Sequence, residues 1–285
     1  MTPLAFTAFT FGSSALAGLI GALLGLGGGM IIVPVLTLFM GVDIHYAVGA
    51  SIVSVIATSS GAAAAYIRDK ITNIRIGMFL ETATTTGAVA GAFLAGVIGG
   101  HILFIIFGLL LGYSAVALFQ KRNVELPTNV PDSRLAERLK LAGNYYDAVL
   151  KRRVDYRAAG VPAGFVMMFG AGVISGLLGI GSGVFKVLAM DIAMRLPMKV
   201  STATSNFMIG VTAAASAGVY FARGDINPFI AAPVALGVLG GATVGTRVMT
   251  RLKNTTLRKL FVPVLLYVAL QMVLRGLGVH VPWTR

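Results

Sequence analysis

Long apolar runs alternate with short polar stretches along the whole chain. Eight runs are present, at 4–24, 46–67, 76–98, 102–119, 161–178, 200–222, 228–249 and 260–274. All but the last, which is marginal, are near or above the roughly 17–20 residues that a helix needs to cross a bilayer. None shows the alternation over about ten residues that an outer-membrane barrel strand requires. The pattern predicts an all-α polytopic protein embedded in a lipid bilayer.

The two halves of the chain match each other at a single offset of 154 residues. The matched pairs include Gly18 with Gly172, Met40 with Met194, Tyr66 with Tyr220, Asn73 with Asn227, and Tyr113 with Tyr267. A bias in alanine and glycine would not align tyrosine, asparagine and methionine. We infer an internal repeat over about 18–118 and 172–272.

The repeat divides the chain into three segments. Residues 1–119 form the first membrane repeat, 120–160 a polar linker, and 161–285 the second membrane repeat. For each repeat the sequence predicts a helix that ends at a glycine motif, a short helix that begins after it (30–40 and 184–195), and three spanning helices.

The basic residues predict opposite orientations for the two repeats. Nine Lys and Arg residues lie in the linker, which places it in the cytoplasm by the positive-inside rule. The loop at 251–259 is also basic, whereas its first-half equivalent, "GGHIL", has no Lys or Arg. Both chain termini are then external. Inverted repeats with paired broken helices are typical of secondary transporters.

Composition narrows the function classes. The chain has no cysteine, which excludes disulfides and thiol chemistry. Its net charge of +13 follows from the basic loops, so no nucleic-acid partner is expected. No HExxH, GxSxG or GxxxxGK[ST] motif occurs, and the three histidines are scattered. We therefore expect neither an enzyme nor a metal or cofactor site.

Two related glycine motifs interrupt the apolar runs, "LGLGGGMIIVP" (24–34) and "LGIGSGVFKVL" (178–188). A glycine inside a helix costs about 1 kcal/mol relative to alanine, and an unpaired backbone group in lipid costs several more. The motifs therefore predict two half-helices that meet near the midplane and offer free amides to an anion. The alternative is close helix packing. The candidate residues are Gly25, Gly27, Gly28, Gly29, Gly179, Gly181, Ser182 and Gly183.

The glycines of "GAVAG" and "GATVG", namely Gly87, Gly91, Gly241 and Gly245, lie inside full-length runs. We interpret these as packing faces.

Several polar residues fall inside the apolar runs. Lys186 lies about nine residues from the charged end at Arg195, roughly 13 Å deep in a ~30 Å core. We expect it to contact the anion, although it could also snorkel or pair with Asp191. The hydroxyl-rich stretches after the short helices add Ser51, Ser205 and Asn206 as neutral donors. Glu81 is a weaker candidate for proton relay, with pairing to Arg75 or another base as the alternative.

The linker predicts two small elements. "DSRLAERLKLA" (132–142) places Leu135, Ala136, Leu139 and Ala142 on one face, as in a helix lying on the inner leaflet. The following stretch, 144–157, alternates weakly and predicts a hairpin.

At these motifs the chain resembles the TauE/SafE family of prokaryotic membrane proteins, the sulfite and organosulfonate exporters. The words that carry the resemblance are "GLIGALLGLGGGMIIVPVL", "SGLLGIGSGVFKVLAMDIAM", "MKVSTATSNFMIGVTAAASAGVYFARGDINP" and "PVALGVLGGATVGTRV". The resemblance covers nearly the whole chain and implies an inner-membrane permease. It points to the glycines of both motifs with Ser51, Ser205 and Asn206. Ser182 departs from the family's three-glycine pattern, so substrate preference could differ.

The sequence thus predicts a secondary transporter, an exporter, of a small sulfur-containing anion such as sulfite or an organosulfonate, working by alternating access. The alternative is a passive anion channel with the same dipole-lined site. The anion, the coupling ion, the direction of transport and any homo-oligomer stay open.

Overall fold

A computed structural model of the chain describes residues 3–24, 28–68, 70–120, 130–131, 133–147, 151–249 and 254–279. The long helices are α1 (Pro3–Leu24), α3 (Ile44–Arg68), α4 (Ile74–Ala95), α5 (Gly100–Gln120), α7 (Val161–Leu178), α9 (Met198–Ala222), α10 (Pro228–Met249) and α11 (Asn254–Gly276). They match the eight predicted runs, and the largest shift is at the start of the last one. The protein is therefore mostly helical, as the apolar runs predict.

Two short helices follow the glycine motifs. They are α2 (Gly29–Pro34) and α8 (Gly183–Leu188). Each continues as one π-helical turn, Val35–Phe39 and Ala189–Ala193 respectively. An eleven-residue element of this kind rises about 16 Å, roughly half of a 30 Å hydrocarbon core.

Five of the helices in the described part of the chain are long and apolar enough to cross a membrane: α1, α3, α5, α7 and α10. This confirms a multi-pass membrane protein. The spanning role of α4, α9 and α11 stays a prediction. Helices α4 and α9 are as long, at 22 and 25 residues, but α4 carries Glu81 and α9 is rich in Ser, Thr and Asn. Of the candidate site residues, Glu81 lies on α4, and Ser205 and Asn206 lie on α9.

The helices of the two repeats interlock. Helix α1 packs along α10, α4 along α7, α3 along α9, and α5 along α11. The repeat relates α1 to α7, α4 to α10, α3 to α9 and α5 to α11. The α1–α10 and α4–α7 pairs are therefore equivalent to each other, and the α3–α9 and α5–α11 pairs are each formed by two equivalent helices. One hydrophobic core accordingly draws side chains from both halves, including Val48, Ile52, Leu178 and Val238. Neither repeat buries its apolar surface without the other.

Glycines set the closeness of the α4–α7 and α1–α10 pairs. A Cβ on Gly176 would lie 1.9 Å from the Ala88 carbonyl oxygen, and one on Gly91 would lie 2.1 Å from the Val173 oxygen. In the α1–α10 pair, a Cβ on Gly241, the repeat equivalent of Gly87, would lie 1.8 Å from the Ala15 oxygen. These distances confirm the packing interpretation of the glycines in "GAVAG" and "GATVG".

The linker contains a shorter helix than the sequence predicts. Helix α6 spans Arg134–Arg138, and the Ser133 hydroxyl accepts a hydrogen bond from the Ala136 amide. It ends because Lys140 adopts a left-handed backbone, with φ of 52°. The helix thus covers five of the residues 132–142, with Ala136 buried and Leu135 exposed, and its position on the inner leaflet stays a prediction. Asp132 lies outside the described residues.

The predicted hairpin is present. Strands β1 (Gly143–Asp147) and β2 (Arg152–Tyr156) pair antiparallel, with Tyr145 opposite Val154. The hairpin is docked on the helices, because the Asn73 side-chain amide donates to the Tyr156 hydroxyl at 2.9 Å. Burial raises the pKa of the Tyr156 phenol above its ordinary value, an effect that this hydrogen bond partly opposes. The phenol is therefore neutral at physiological pH.

Two glycines of α7 provide a matched test of the close packing. Gly176→Ala drives a methyl into the Ala88 carbonyl, so we expect a lower thermal unfolding midpoint, consistent with an overpacking cost of about 1–3 kcal/mol. Gly170 has nothing within 4 Å of its Cβ position, so Gly170→Ala should leave the midpoint equal or higher. Equal midpoints for both variants in detergent would contradict the close α4–α7 contact.

Candidate functional site

The second glycine motif is a break in the helix. Helix α7 ends at Leu178, and α8 begins at Gly183. Between them, Gly179, Gly181 and Ser182 have φ values of 64°, 71° and 46°. Glycine adopts this left-handed region without strain, whereas a residue with a Cβ pays roughly 1–2 kcal/mol. Ser182 is thus a strained residue among relaxed glycines.

The first motif is described from its last glycines onward. Gly28 has a φ of 69° and precedes α2, and its carbonyl accepts from the Ile31 amide at 3.0 Å. Gly28 is the repeat equivalent of Ser182. Gly25 and Gly27 lie outside the described residues.

The two breaks lie against each other across α3. The Ser51 hydroxyl on α3 donates to the Gly179 carbonyl at 2.7 Å. A Cβ on Gly29 would lie 2.5 Å from that hydroxyl and 3.1 Å from the Gly179 oxygen. Gly29 of the first repeat and Gly179 of the second therefore share one contact point.

The structure encloses the glycines of this contact. A Cβ on Gly179 would lie 2.7 Å from the Val48 carbonyl oxygen, and one on Gly181 would lie 2.8 Å from Val55. Close packing therefore accounts for Gly29, Gly179 and Gly181 in this conformation. Free amides remain where α8 starts: the Lys186 amide donates to Ser182, so the helical geometry leaves the amides of Gly183 and its two successors without an acceptor in their own helix.

The candidate hydroxyls mostly support the breaks. Ser205 donates to the Gly183 carbonyl at 3.2 Å, as Ser51 does to Gly179. A hydroxyl has one proton to donate, and in both serines it is directed at a glycine carbonyl. Asn206 donates to the Thr202 carbonyl of its own helix at 3.1 Å, and its backbone oxygen accepts from Ser59.

Ser182 differs from these serines. Its side chain has no exposed surface, and its hydroxyl has no hydrogen-bond partner among the described residues. A buried hydroxyl without a partner costs about 1–3 kcal/mol. Such a group is expected to bond to something that enters the site.

Lys186 is fully buried and belongs to a chain of three side chains. Its ammonium donates to the Thr212 hydroxyl at 2.5 Å, and that hydroxyl donates to Glu81 Oε1 at 2.6 Å. Asp191, the alternative partner considered from sequence, is only partly buried and follows α8.

Glu81 lies deeper than the sequence suggests. It is 4% exposed, and Oε1 also accepts from Thr85 at 3.0 Å. Its Oε2 has no hydrogen-bond partner among the described residues. Arg75, the other partner considered from sequence, is exposed. The structure thus brings Glu81 to Lys186, which sequence reasoning treated separately.

Sequence reasoning missed two residues of this region. Thr212 joins Lys186 to Glu81, and the Tyr220 hydroxyl donates to the carbonyl of Gly176 at 2.8 Å and of Leu177 at 3.1 Å. Both have an identical repeat equivalent, Thr58 and Tyr66. Identity of a polar residue across the repeat is the signal that could have found them.

A basic cleft of about 880 Å³ lies apart from the two breaks, where the hairpin meets the turn after α8. Its lining includes Arg152, Arg153, Arg157 and Arg195, with Asp155 as the acidic residue among the lining residues. The cleft has the charge to attract anions from water.

Comparison with known proteins identifies the family of the chain. The family model described as "Sulfite exporter TauE/SafE" matches residues 10–272. The chain is similar to the probable membrane transporter protein YunE of Bacillus subtilis, with 26% identity over 92% of this chain and 95% of the relative. It is also similar to YdhB of the same organism, with 25% identity over 85% and 90%. A probable membrane transporter protein of Xylella fastidiosa is 25% identical over 94% and 95%. No solved structure matches. The chain belongs to the sulfite exporter TauE/SafE family of membrane proteins.

Proposed function

We propose that the protein is a secondary transporter that exports a small sulfur-containing anion, such as sulfite or an organosulfonate. The relatives are named as probable membrane transporters, and the family description names a sulfite exporter. The observation that carries the proposal is a buried cation, Lys186, one helical turn after Ser182, whose buried hydroxyl has no hydrogen-bond partner among the described residues.

The proposed site has the chemistry of a weak anion site. One ammonium supplies charge, the Ser182 hydroxyl supplies a neutral donor, and the first amides of α8 supply backbone donors. The aliphatic side chains of Val55 and Ile209 lie against Gly181 of the break. A single cation in an apolar wall suits a small monoanion that must bind and leave again.

We further propose that the two repeats are inverted in the membrane, with the linker in the cytoplasm, both termini outside and alternating access by motion of one repeat against the other. The exchange of helix pairs between the halves supports this, as do the basic residues of the linker. In the described conformation Lys186 and Ser182 are enclosed, which is what an occluded state of a transporter requires.

The function is tested in proteoliposomes loaded with sulfite, methanesulfonate or sulfate. Saturable flux with counter-transport supports the transporter. A passive channel would instead pass anion current without exchange. Absence of flux for every anion tested would overturn the proposed substrate class.

Lys186→Met removes the buried cation. We expect the apparent KM for the transported anion to rise at least about tenfold, because a hydrogen bond to a charged group is worth about 1.5–3 kcal/mol. Lys199→Met is the matched control, since Lys199 is exposed at the start of α9. The double variant Lys186→Met/Glu81→Gln covers the case in which a lone buried carboxylate prevents folding. A wild-type KM in both Lys186 variants would remove Lys186 from the site.

Ser182→Gly separates strain from binding. Glycine relieves the left-handed backbone, so we expect an equal or higher thermal unfolding midpoint, since the strain is worth roughly 1–2 kcal/mol. Loss of the hydroxyl should raise the apparent KM. Ser182→Ala removes the unpartnered hydroxyl but keeps the Cβ in the left-handed backbone, so it should raise KM, and the further gain in stability of Ser182→Gly over Ser182→Ala measures the strain. If both variants transport with the wild-type KM, the Ser182 hydroxyl does not contact the anion.

A further inference from the structure

Neither charged residue of the buried chain has a charged equivalent in the other repeat. Lys186 corresponds to Ile32, and Glu81 corresponds to Ala235, whereas Thr212 corresponds to Thr58. The Thr58 hydroxyl donates to the Ser54 carbonyl of its own helix. The repeat-equivalent positions Ile32, Thr58 and Ala235 thus keep the threonine and lack both charges, so the two charges occur as a pair.

The unit joins the two repeats. Glu81 is on α4 of the first repeat, whereas Lys186 and Thr212 are on α8 and α9 of the second. Because an ammonium can only donate, the Thr212 oxygen accepts from Lys186. The Thr212 proton has two acceptors in range, Glu81 Oε1 at 2.6 Å and the Met208 carbonyl oxygen at 3.0 Å, and the carboxylate is the nearer. The ammonium and the carboxylate neutralise each other through one hydroxyl.

Other ionisable groups lie away from this chain. Helix α7, which packs along α4, has no ionisable side chain. Helix α9 has Lys199, exposed in its first turn, and Tyr220, whose hydroxyl bonds to backbone carbonyls near the end of α7. Asp191 is partly buried on the turn after α8. Arg75, in the first turn of α4, is exposed. The charge balance at the buried site therefore depends on Glu81 and Lys186.

Entry of an anion changes this balance. The Glu81–Lys186 pair is neutral, so adding a monoanion gives the enclosed site a net charge of −1. An uncompensated buried charge costs several kcal/mol in protein interiors. Taking up one proton restores neutrality, and Glu81 Oε2 is the oxygen that has no hydrogen-bond partner among the described residues.

We propose that the transported anion displaces the Glu81 carboxylate from Lys186 and that Glu81 Oε2 then accepts one proton from the bulk solution, where a hydronium ion or a buffer acid gives up its bond to that proton. This inference rests on the proposed function. One O–H bond forms at Glu81 when the anion binds and breaks when the anion leaves. The anion and the proton therefore move together in the same direction, and the net movement of a monoanion carries no charge.

Two consequences follow for substrate choice and pH. A dianion would leave a net negative charge after one protonation, so monoanions such as sulfonates and hydrogen sulfite are favoured over sulfate. Binding consumes a proton, so the affinity for a sulfonate falls as the pH rises.

The test uses the purified full-length protein in nanodiscs and methanesulfonate, which stays a monoanion throughout the working pH range. Calorimetric titrations in buffers of different ionisation enthalpy count the protons taken up per anion bound. We expect about one proton for the wild type, as linkage requires when a carboxylate is protonated on binding. Glu137→Gln, a change at an exposed residue of α6, should give the same count.

Infrared difference spectra identify the proton acceptor. Adding methanesulfonate should produce the C=O stretching band of a protonated carboxylic acid. The band should disappear in Glu81→Gln, shift in Glu81→Asp and persist in Glu137→Gln. This readout is needed because, in Glu81→Gln, a Lys186 side chain that has lost its counter-ion and its proton would take up a proton when the anion binds, so a proton count alone does not identify the acceptor.

The outcomes separate the inference from the proposed function. A wild-type protein that binds neither methanesulfonate nor any other anion of the panel overturns both. Binding without proton uptake overturns the coupling alone, and this result needs no variant to fold. Proton uptake without the carboxylic acid band, or a band that survives Glu81→Gln, overturns the assignment to Glu81.

Discussion

A backbone that leaves the helix inside a bilayer must bond its free carbonyls and amides to protein, because lipid offers no hydrogen bonds. The centre of this molecule is arranged around that constraint. Ser51 reaches across from α3 to Gly179, Ser205 from α9 to Gly183, and Tyr220 from α9 to Gly176 and Leu177. Helices α3 and α9 therefore carry hydroxyls on the face that meets the breaks.

The constraint also explains why the two repeats cannot separate. A carbonyl released in the second repeat is satisfied by Ser51 of the first, and the glycines of both breaks fill the space around that bond. The contacts that satisfy the free backbone groups are thus also the contacts that pack the two repeats together. A transport motion has to exchange these bonds for others rather than leave them unmade, which limits the conformations available to the pair of breaks.

Much of the fold is predictable from sequence, and less of the candidate site. Helix bounds follow from the length of the apolar runs, and the breaks follow from the glycines, because both depend on local chemistry. The direction of a hydroxyl does not: Ser51 is identifiable as a polar residue near a break, but its donation to Gly179 depends on a contact 128 residues away. Glu81 and Lys186 are each conspicuous in the sequence, yet their link through Thr212 arises only when α4 packs along α9. The early end of α6 depends on the single left-handed residue Lys140.

The docking of the linker has a mechanical consequence. The Ala159 amide donates to the Met194 carbonyl at 3.0 Å, and a Cβ on Gly160 would lie 2.2 Å from the Ala193 carbonyl oxygen. These contacts fasten the chain just beyond the hairpin to the final turn of the short element that bears Lys186. A tilt of that element would move the hairpin with it. The distances between the arginines of the cleft would then change when the element that bears Lys186 moves, so the anion affinity of the cleft would depend on the conformation at the buried ammonium.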